Sequence, residues 1–204
     1  MPNGTREWPA ASRLRSISAR VWRLLIGAPA FIGIVLAAFL TPAASWPADS
    51  VWTEMRWPFP IDQWGIGKTF RCAARYCGRE VDLHLRAKVG FCNCATGVAN
   101  DEELERVADL DLLGNRPLAL APGRTVSVQK TTGRSRVHSI SIVPVAAVTV
   151  EEKLALTIAF NRKCDAVVAT VVVDRGDPGD LEAAALKFLD SDTVIRWIRA
   201  TFGS

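Results

Sequence analysis

Five cysteines are the residues of this chain whose type and spacing could support covalent or metal chemistry. They are Cys72, Cys77, Cys92, Cys94 and Cys164. One residue separates Cys92 from Cys94, and a disulfide closed between them would be strained and readily reduced, as a redox-active pair is. Soft thiolates also suit copper(I). The spacing therefore raises one possible function, a thiol-redox or copper-handling factor acting through the Cys92/Cys94 pair.

Structural disulfides are the main interpretation of the same five residues, which we predict as disulfide sites. Cys72 and Cys77 flank a short turn between two predicted antiparallel strands, so their Cα atoms lie near the separation that a disulfide prefers. Cys92 and Cys94 are about 6.5 Å apart if the segment is extended, and they bridge poorly. We expect Cys164 to pair with one of them. The odd number leaves one thiol free or shared between chains.

The remaining chemistry-bearing residues give little support to an enzyme. The sequence holds neither G-x-S-x-G nor H-E-x-x-H, and the C-x-C spacing is tighter than is usual for zinc. Residues 67–69 (GKT) imitate a phosphate-binding loop, but Asp62 stands where that motif needs a glycine. His84 is predicted on the wet face of a strand, and His138 faces inward with Ile140. We expect no catalytic residue, metal, cofactor or nucleotide.

One apolar stretch, residues 21–40, indicates on which side of a membrane the cysteines and histidines lie. At about 1.5 Å per residue it reaches roughly 30 Å, the thickness of the hydrocarbon core of a bilayer. Five arginines and Glu7 precede Leu24, whereas no Lys or Arg follows Leu40 until Arg56. Because positive charge stays on the cytoplasmic side, the stretch is predicted as a single-pass signal anchor with a cytoplasmic N-terminus. A signal peptide cleaved before Trp46 is the alternative.

The net charge of +4 comes from the N-terminal part of the chain. Residues 1–23 hold five of the 25 basic and one of the 21 acidic residues, which leaves 20 of each in residues 24–204. A neutral domain has no electrostatic basis for binding nucleic acid. A domain exported to the periplasm across a bacterial-type inner membrane lies in an oxidising compartment, where disulfides persist.

Four regions follow from these observations. They are a disordered cytoplasmic tail (1–20), the transmembrane anchor that contacts the lipid bilayer (21–40), a Pro/Trp-rich juxtamembrane linker (41–68) and an exported domain (69–204). In the linker, Trp52, Trp57 and Trp64 are predicted as binding residues for the headgroup layer or for a neighbouring membrane protein. The alternative is that Trp57 and Trp64 fold back onto the domain core.

The exported domain is predicted to be α+β. Hydrophobic alternation indicates an antiparallel sheet of about six strands, with a short mid-chain helix and a C-terminal helix. Three hairpins supply the strands, over residues 69–89, 125–143 (turning at 132–134) and 148–174 (turning at 161–164). The apolar run 167–173 is predicted as a central strand, and the helices as residues 102–113 and from Asp180 onward.

Together these features predict a membrane-anchored periplasmic domain that binds or assembles other envelope proteins. Such a protein would be non-catalytic, and its partner would be an envelope or membrane protein. The thiol-redox or copper-handling factor is the alternative.

Overall fold

The computed structural model describes residues 51–91, 93–142, 149–174 and 178–203. These residues form an α+β fold around an antiparallel sheet, which confirms the predicted class. The predicted tail (1–20) and anchor (21–40) lie outside the described residues. Among the residues that are described, no helix is long and apolar enough to cross a membrane.

The sheet has eight strands in the described part of the chain. The strands are β1 (Trp52–Met55), β2 (Lys68–Cys72), β3 (Val81–Lys88), β4 (Asn115–Ala119), β5 (Arg124–Val128), β6 (Thr131–Ile142), β7 (Glu151–Arg162) and β8 (Asp165–Val173). The helices are α1 (Ala74–Cys77), α2 (Asp101–Val107), α3 (Leu110–Leu113), α4 (Pro178–Leu189) and α5 (Asp192–Phe202). The strands are ordered β1-β2-β3-β8-β7-β6-β4, and β5 also pairs with β6.

The sequence predicts about six strands and the described sheet has eight, because β1 and β4 were not expected. All six predicted strands are present, but β1 lies in the segment predicted as a linker and β4 lies between the mid-chain helix and the next hairpin. Both are outer strands of the described sheet. An outer strand buries few side chains and tolerates residues such as Pro117, so its sequence resembles a loop.

The predicted turn of the β5–β6 hairpin is also wrong. The chain turns at Gln129 and Lys130, whose φ angles are 50° and 63°. Two left-handed residues match the twist of the flanking strands. Gly133, predicted as a turn residue, lies inside β6, where an added Cβ would come within 2.5 Å of the Ala159 carbonyl oxygen. That glycine allows close packing rather than a turn.

The predicted helices are present but divided. The mid-chain helix is interrupted at Ala108 and Asp109, so α2 and α3 replace it. Asn100 caps α2 as expected, since its side chain accepts a hydrogen bond from the backbone N–H of Glu103. The prediction of a single C-terminal helix is wrong. Two helices are present, because Ser191 separates α4 from α5 and caps α5. The polar run 190–192 had indicated a possible new helix cap here.

The sheet is covered on both faces. Strand β8 pairs with β3 on one side and β7 on the other, which confirms the predicted central strand. Helices α4 and α5 pack on one face, against alternate residues of the central strands such as Leu83, Ile158 and Val171. Helices α2 and α3 pack on the opposite face, against neighbours such as Ala159 and Val168. We call the face that these two helices cover the α2/α3 face.

Candidate functional site

The α2/α3 face of strand β3 carries buried charges. The sequence predicted that Asp82, His84, Arg86 and Lys88 face water, and for Arg86 and Lys88 this is wrong, since they are 1% and 4% exposed. Residues 57–66, which we call the strap, fold back over this face beside α3, as their contacts with β3 show. Burial of a cation is costly unless it is paired.

Arg86 is the centre of the buried group. Its guanidinium forms ion pairs with Asp62 of the strap and with Asp109 before α3, the second at 3.3 Å between Nη1 and Oδ1. It also donates to the Gly65 carbonyl oxygen at 3.1 Å and lies 5.5 Å from the centroid of the Trp57 ring. Lys88 places its Nζ 2.8 Å from Asp109 Oδ1. Two cations therefore meet two carboxylates, and the group is charge-balanced.

His84 lies beneath the aromatic part of the strap, and its prediction as a plain surface residue is wrong. Phe59 and Trp57 approach the imidazole edge-on, at ring-centroid distances of 4.8 and 6.2 Å. Burial lowers the pKa of His84 to about 4, with Asp82 raising it and Arg71 lowering it to smaller extents. Its Nδ1 lies 3.1 Å from Thr69 Oγ1. At neutral pH the ring is uncharged, so it joins this face as an aromatic group.

The three tryptophans predicted as binding residues all contact the fold itself. Trp52 stacks on Phe188 of α4 at 4.7 Å, on the face opposite the strap. Trp64 packs edge-on against Phe91 at 4.5 Å, close to the ammonium of Lys88. The contacts of Trp57 and Trp64 agree with the alternative in which both fold back onto the domain. A binding role for the three residues stays a prediction.

The exposed residues of the strap are apolar apart from Gln63. Asp62 and Gly65 form an isolated antiparallel bridge, and both are held to Arg86 on the inner side. Ile61 and Ile66 are the residues next to this bridge, one on each side of it. They are 69% and 64% exposed, among the most exposed large apolar residues of the described chain.

A second polar cluster surrounds His138 on the same face. His138 is 1% exposed, which confirms its predicted inward position, and its Nε2 lies 2.8 Å from Glu105 Oε1. Arg136 binds the same carboxylate oxygen at 3.0 Å. Within the described ranges, His138 Nδ1 and Thr157 Oγ1 have no hydrogen-bond partner, and no group of three potential metal ligands occurs. The cluster links α2 to β6.

Neither cluster was found from the sequence. Strict alternation along β3 marks which residues share a face, but it does not say whether that face is wet. The available signal was the density of aromatic residues just before the strand, since a tryptophan-rich segment with two prolines can cover a neighbouring polar surface.

Four cysteines form two pairs with disulfide geometry, which fits the predicted disulfides. Cys72 pairs with Cys77 and Cys94 with Cys164, at Cα separations of 6.0 and 4.3 Å. Cys92 lies outside the described residues. The bond to Cys164 engages one of the two thiols that the redox alternative requires.

No protein-family model matches this chain, and no curated protein matches it significantly. The fold and its contacts define the class of protein. It is a disulfide-containing α+β domain in which an aromatic strap is held over the sheet by buried ion pairs.

Proposed function

We propose that this chain is a single-pass inner-membrane protein whose periplasmic domain binds other envelope proteins. Residues 21–40 supply the anchor, and the arginines before them set its orientation. Two disulfide pairs in the domain favour an oxidising compartment. No matching family assigns an activity to this chain, so the exposed surface of the domain is the guide to its function.

Exposed apolar residues of the strap support a contact with the bilayer. Ten residues lie between Leu40 and Val51, so the two are at most about 40 Å apart even when the chain is fully extended. The strap follows within a few residues, and it presents Ile61 and Ile66 outward while Arg86 holds its inner side. Exposed apolar side chains that follow a membrane anchor closely in sequence favour contact with the headgroup layer.

The proposed partner surface is the outer strand β4 together with Leu120, which follows it. The exposed leucines there are the observation that supports the proposal. Leu118 and Leu120 are 65% and 51% exposed beside a groove of about 440 Å³ that includes Pro122 and Val137. Grouped exposed apolar residues mark interaction sites on soluble domains. Pro117 and the shift in register between Asn115 and Leu118 disfavour addition of a further strand. A partner would therefore contact side chains.

Site-specific photocrosslinking tests this surface in native membranes. A photoreactive residue at Leu120 should join the full-length chain to a discrete protein, whereas one at Ser127, exposed on neighbouring β5, should not. The double variant Leu118→Glu, Leu120→Glu should abolish the product and leave the melting temperature unchanged. Equal labelling from both positions, or none from Leu120, would contradict the proposal.

The thiol-redox or copper-handling alternative needs a different state of the cysteines. It requires Cys94 to leave Cys164 and act with Cys92. Titration of thiols on the unreduced, denatured chain separates the two proposals. With two pairs among five cysteines, a structural role predicts one thiol per chain, whereas three or more would favour thiol chemistry.

A further inference from the structure

An open groove of about 630 Å³ lies at one end of the sheet, on the face that α4 and α5 cover. The β5–β6 turn, the end of β7 and helix α5 form its walls. This volume is within the range of small-molecule sites. No residue of β4 lines the described groove, so a ligand bound there would be independent of the partner surface proposed above.

Three cations line the groove, and they are Lys130, Arg162 and Arg199. In the part of the chain that the structure describes, none of them forms an ion pair, whereas Arg124, Arg134 and Lys153 do. Each of the three comes from a different element, so the fold rather than a local run of sequence brings them to one place. Unpaired cations that converge on a cavity favour an anionic ligand.

Among the described residues that line the groove there is one carboxylate, and it already accepts a hydrogen bond. Asp190 Oδ1 accepts a hydrogen bond from the backbone N–H of Gln129 at 2.6 Å. The Gln129 side chain donates to the Leu189 carbonyl oxygen at 2.9 Å. These bonds fix the β5–β6 turn to the end of α4 and so hold the backbone of Lys130 in place. Three cations against one carboxylate leave an excess of two positive charges.

The lining also includes apolar residues. Phe160 and Ile198 are 3% and 1% exposed, and half-buried Ile195 lies beside them. A simple inorganic ion would use only the charged rim. A ligand with both an anionic group and a short apolar group would use the rim and the apolar surface together.

We propose that this groove binds a small phosphomonoester, a dianion attached to an apolar group. Its phosphate would lie among Lys130, Arg162 and Arg199, because a guanidinium can donate two parallel hydrogen bonds to phosphate oxygens. Its apolar group would lie on Ile195, above the nearly buried side chains of Phe160 and Ile198.

Isothermal titration calorimetry on the full-length chain in a neutral detergent tests the proposal. The probes are monohexyl phosphate, inorganic phosphate and hexanol, each also titrated into empty micelles. Monohexyl phosphate should bind more tightly than inorganic phosphate, hexanol should not bind, and added salt should weaken the binding of both phosphates. Absence of monohexyl phosphate binding, or hexanol binding with the same affinity, would overturn the proposal.

Matched variants locate the site. Arg162→Gln with Arg199→Gln should lower the affinity for monohexyl phosphate about tenfold or more, as expected for lost hydrogen bonds to a charged group. Arg196→Gln, an exposed residue of α5 outside the groove lining, should leave it unchanged. If the double variant is less stable than the parent, Lys130→Asn decides, because asparagine tolerates the positive φ. Equal losses in Arg196→Gln and the groove variants would contradict the assignment.

Discussion

At the scale of single residues, burial changes what His84 can do. An unfolded chain would protonate this ring near pH 6.5, whereas the folded chain keeps it neutral down to a pKa of about 4. Between these two values the unfolded state binds more protons, so folding stability falls as the pH is lowered through that window. The difference between the two pKa values corresponds to a loss of roughly 3 kcal/mol in the free energy of unfolding, which is complete at a pH below both values.

Replacing His84 by glutamine should flatten this dependence. Glutamine does not titrate, and its side chain is long enough to keep a hydrogen bond to Thr69. The free energy of unfolding in urea, measured at neutral pH and near the folded pKa, should fall less in His84→Gln than in the parent. Carboxylates titrate in both proteins, so the difference between them isolates His84. Parallel pH profiles would contradict the argument.

Arg86 should be far more costly to remove than a surface arginine. Arg86→Met leaves Asp62 without its cation and Asp109 with Lys88 alone. We expect a loss of about 3–5 kcal/mol, as for one partner of a buried pair. Arg71→Met is the matched control, since Arg71 pairs with Asp82 on β3 but is 40% exposed, and its loss should be below about 1 kcal/mol. Similar losses in urea denaturation would show that the buried pairs contribute little.

At the scale of elements, the sequence predicted those whose pattern is local. Alternation gave β3, the continuous apolar run gave β8, and Asn100 marked the start of α2. It did not predict β1 or β4, because an outer strand is defined by its pairing partner. The β5–β6 turn was misplaced because Gly133 suggested a turn, whereas close packing against β7 explains that glycine.

The two disulfides should stabilise the fold unequally. Cys94–Cys164 joins residues 70 apart in sequence and Cys72–Cys77 residues 5 apart. Chain-entropy estimates give about 4 kcal/mol for the longer loop and about 2 kcal/mol for the shorter. Each bond can be isolated in a variant with the other three cysteines replaced by alanine. The free energy of unfolding, measured with and without a reductant, should fall more for the variant that keeps Cys94–Cys164. Equal losses would contradict this order.

At the scale of the whole molecule, the sequence predicted a domain that starts at residue 69, and this boundary leaves the strap outside the domain. Proline and tryptophan in residues 41–68 indicated a linker, yet β1 and the strap in that segment belong to the described fold. The buried ion pairs could not be predicted, because Asp62, Arg86 and Asp109 lie far apart in sequence and meet only when the chain folds. Composition describes what a segment contains, whereas its structural role depends on the surface it covers.

Two fragments test this boundary. Residues 46–204, produced in an oxidising compartment, should unfold cooperatively. Residues 69–204 lack Trp52, which stacks on Phe188, and Asp62, which pairs with Arg86. Two buried cations would then share Asp109. Loss of one buried partner costs up to about 3–5 kcal/mol, and water that replaces the strap over Arg86 lowers this cost. The lost apolar contacts of β1 and the strap add to it, against a total of about 5–15 kcal/mol that is typical of a whole domain.

The shorter fragment should therefore melt at a much lower temperature, with weaker near-ultraviolet circular dichroism. Arg86→Met introduced into the 69–204 fragment provides the control, because it removes the cation that has lost its partner. If the buried charge causes the instability, this variant should melt above the unmodified short fragment, although still below residues 46–204, which keep the apolar contacts of the strap. Equal melting temperatures for the two unmodified fragments would show that the strap is a linker after all, held against a domain that is complete without it.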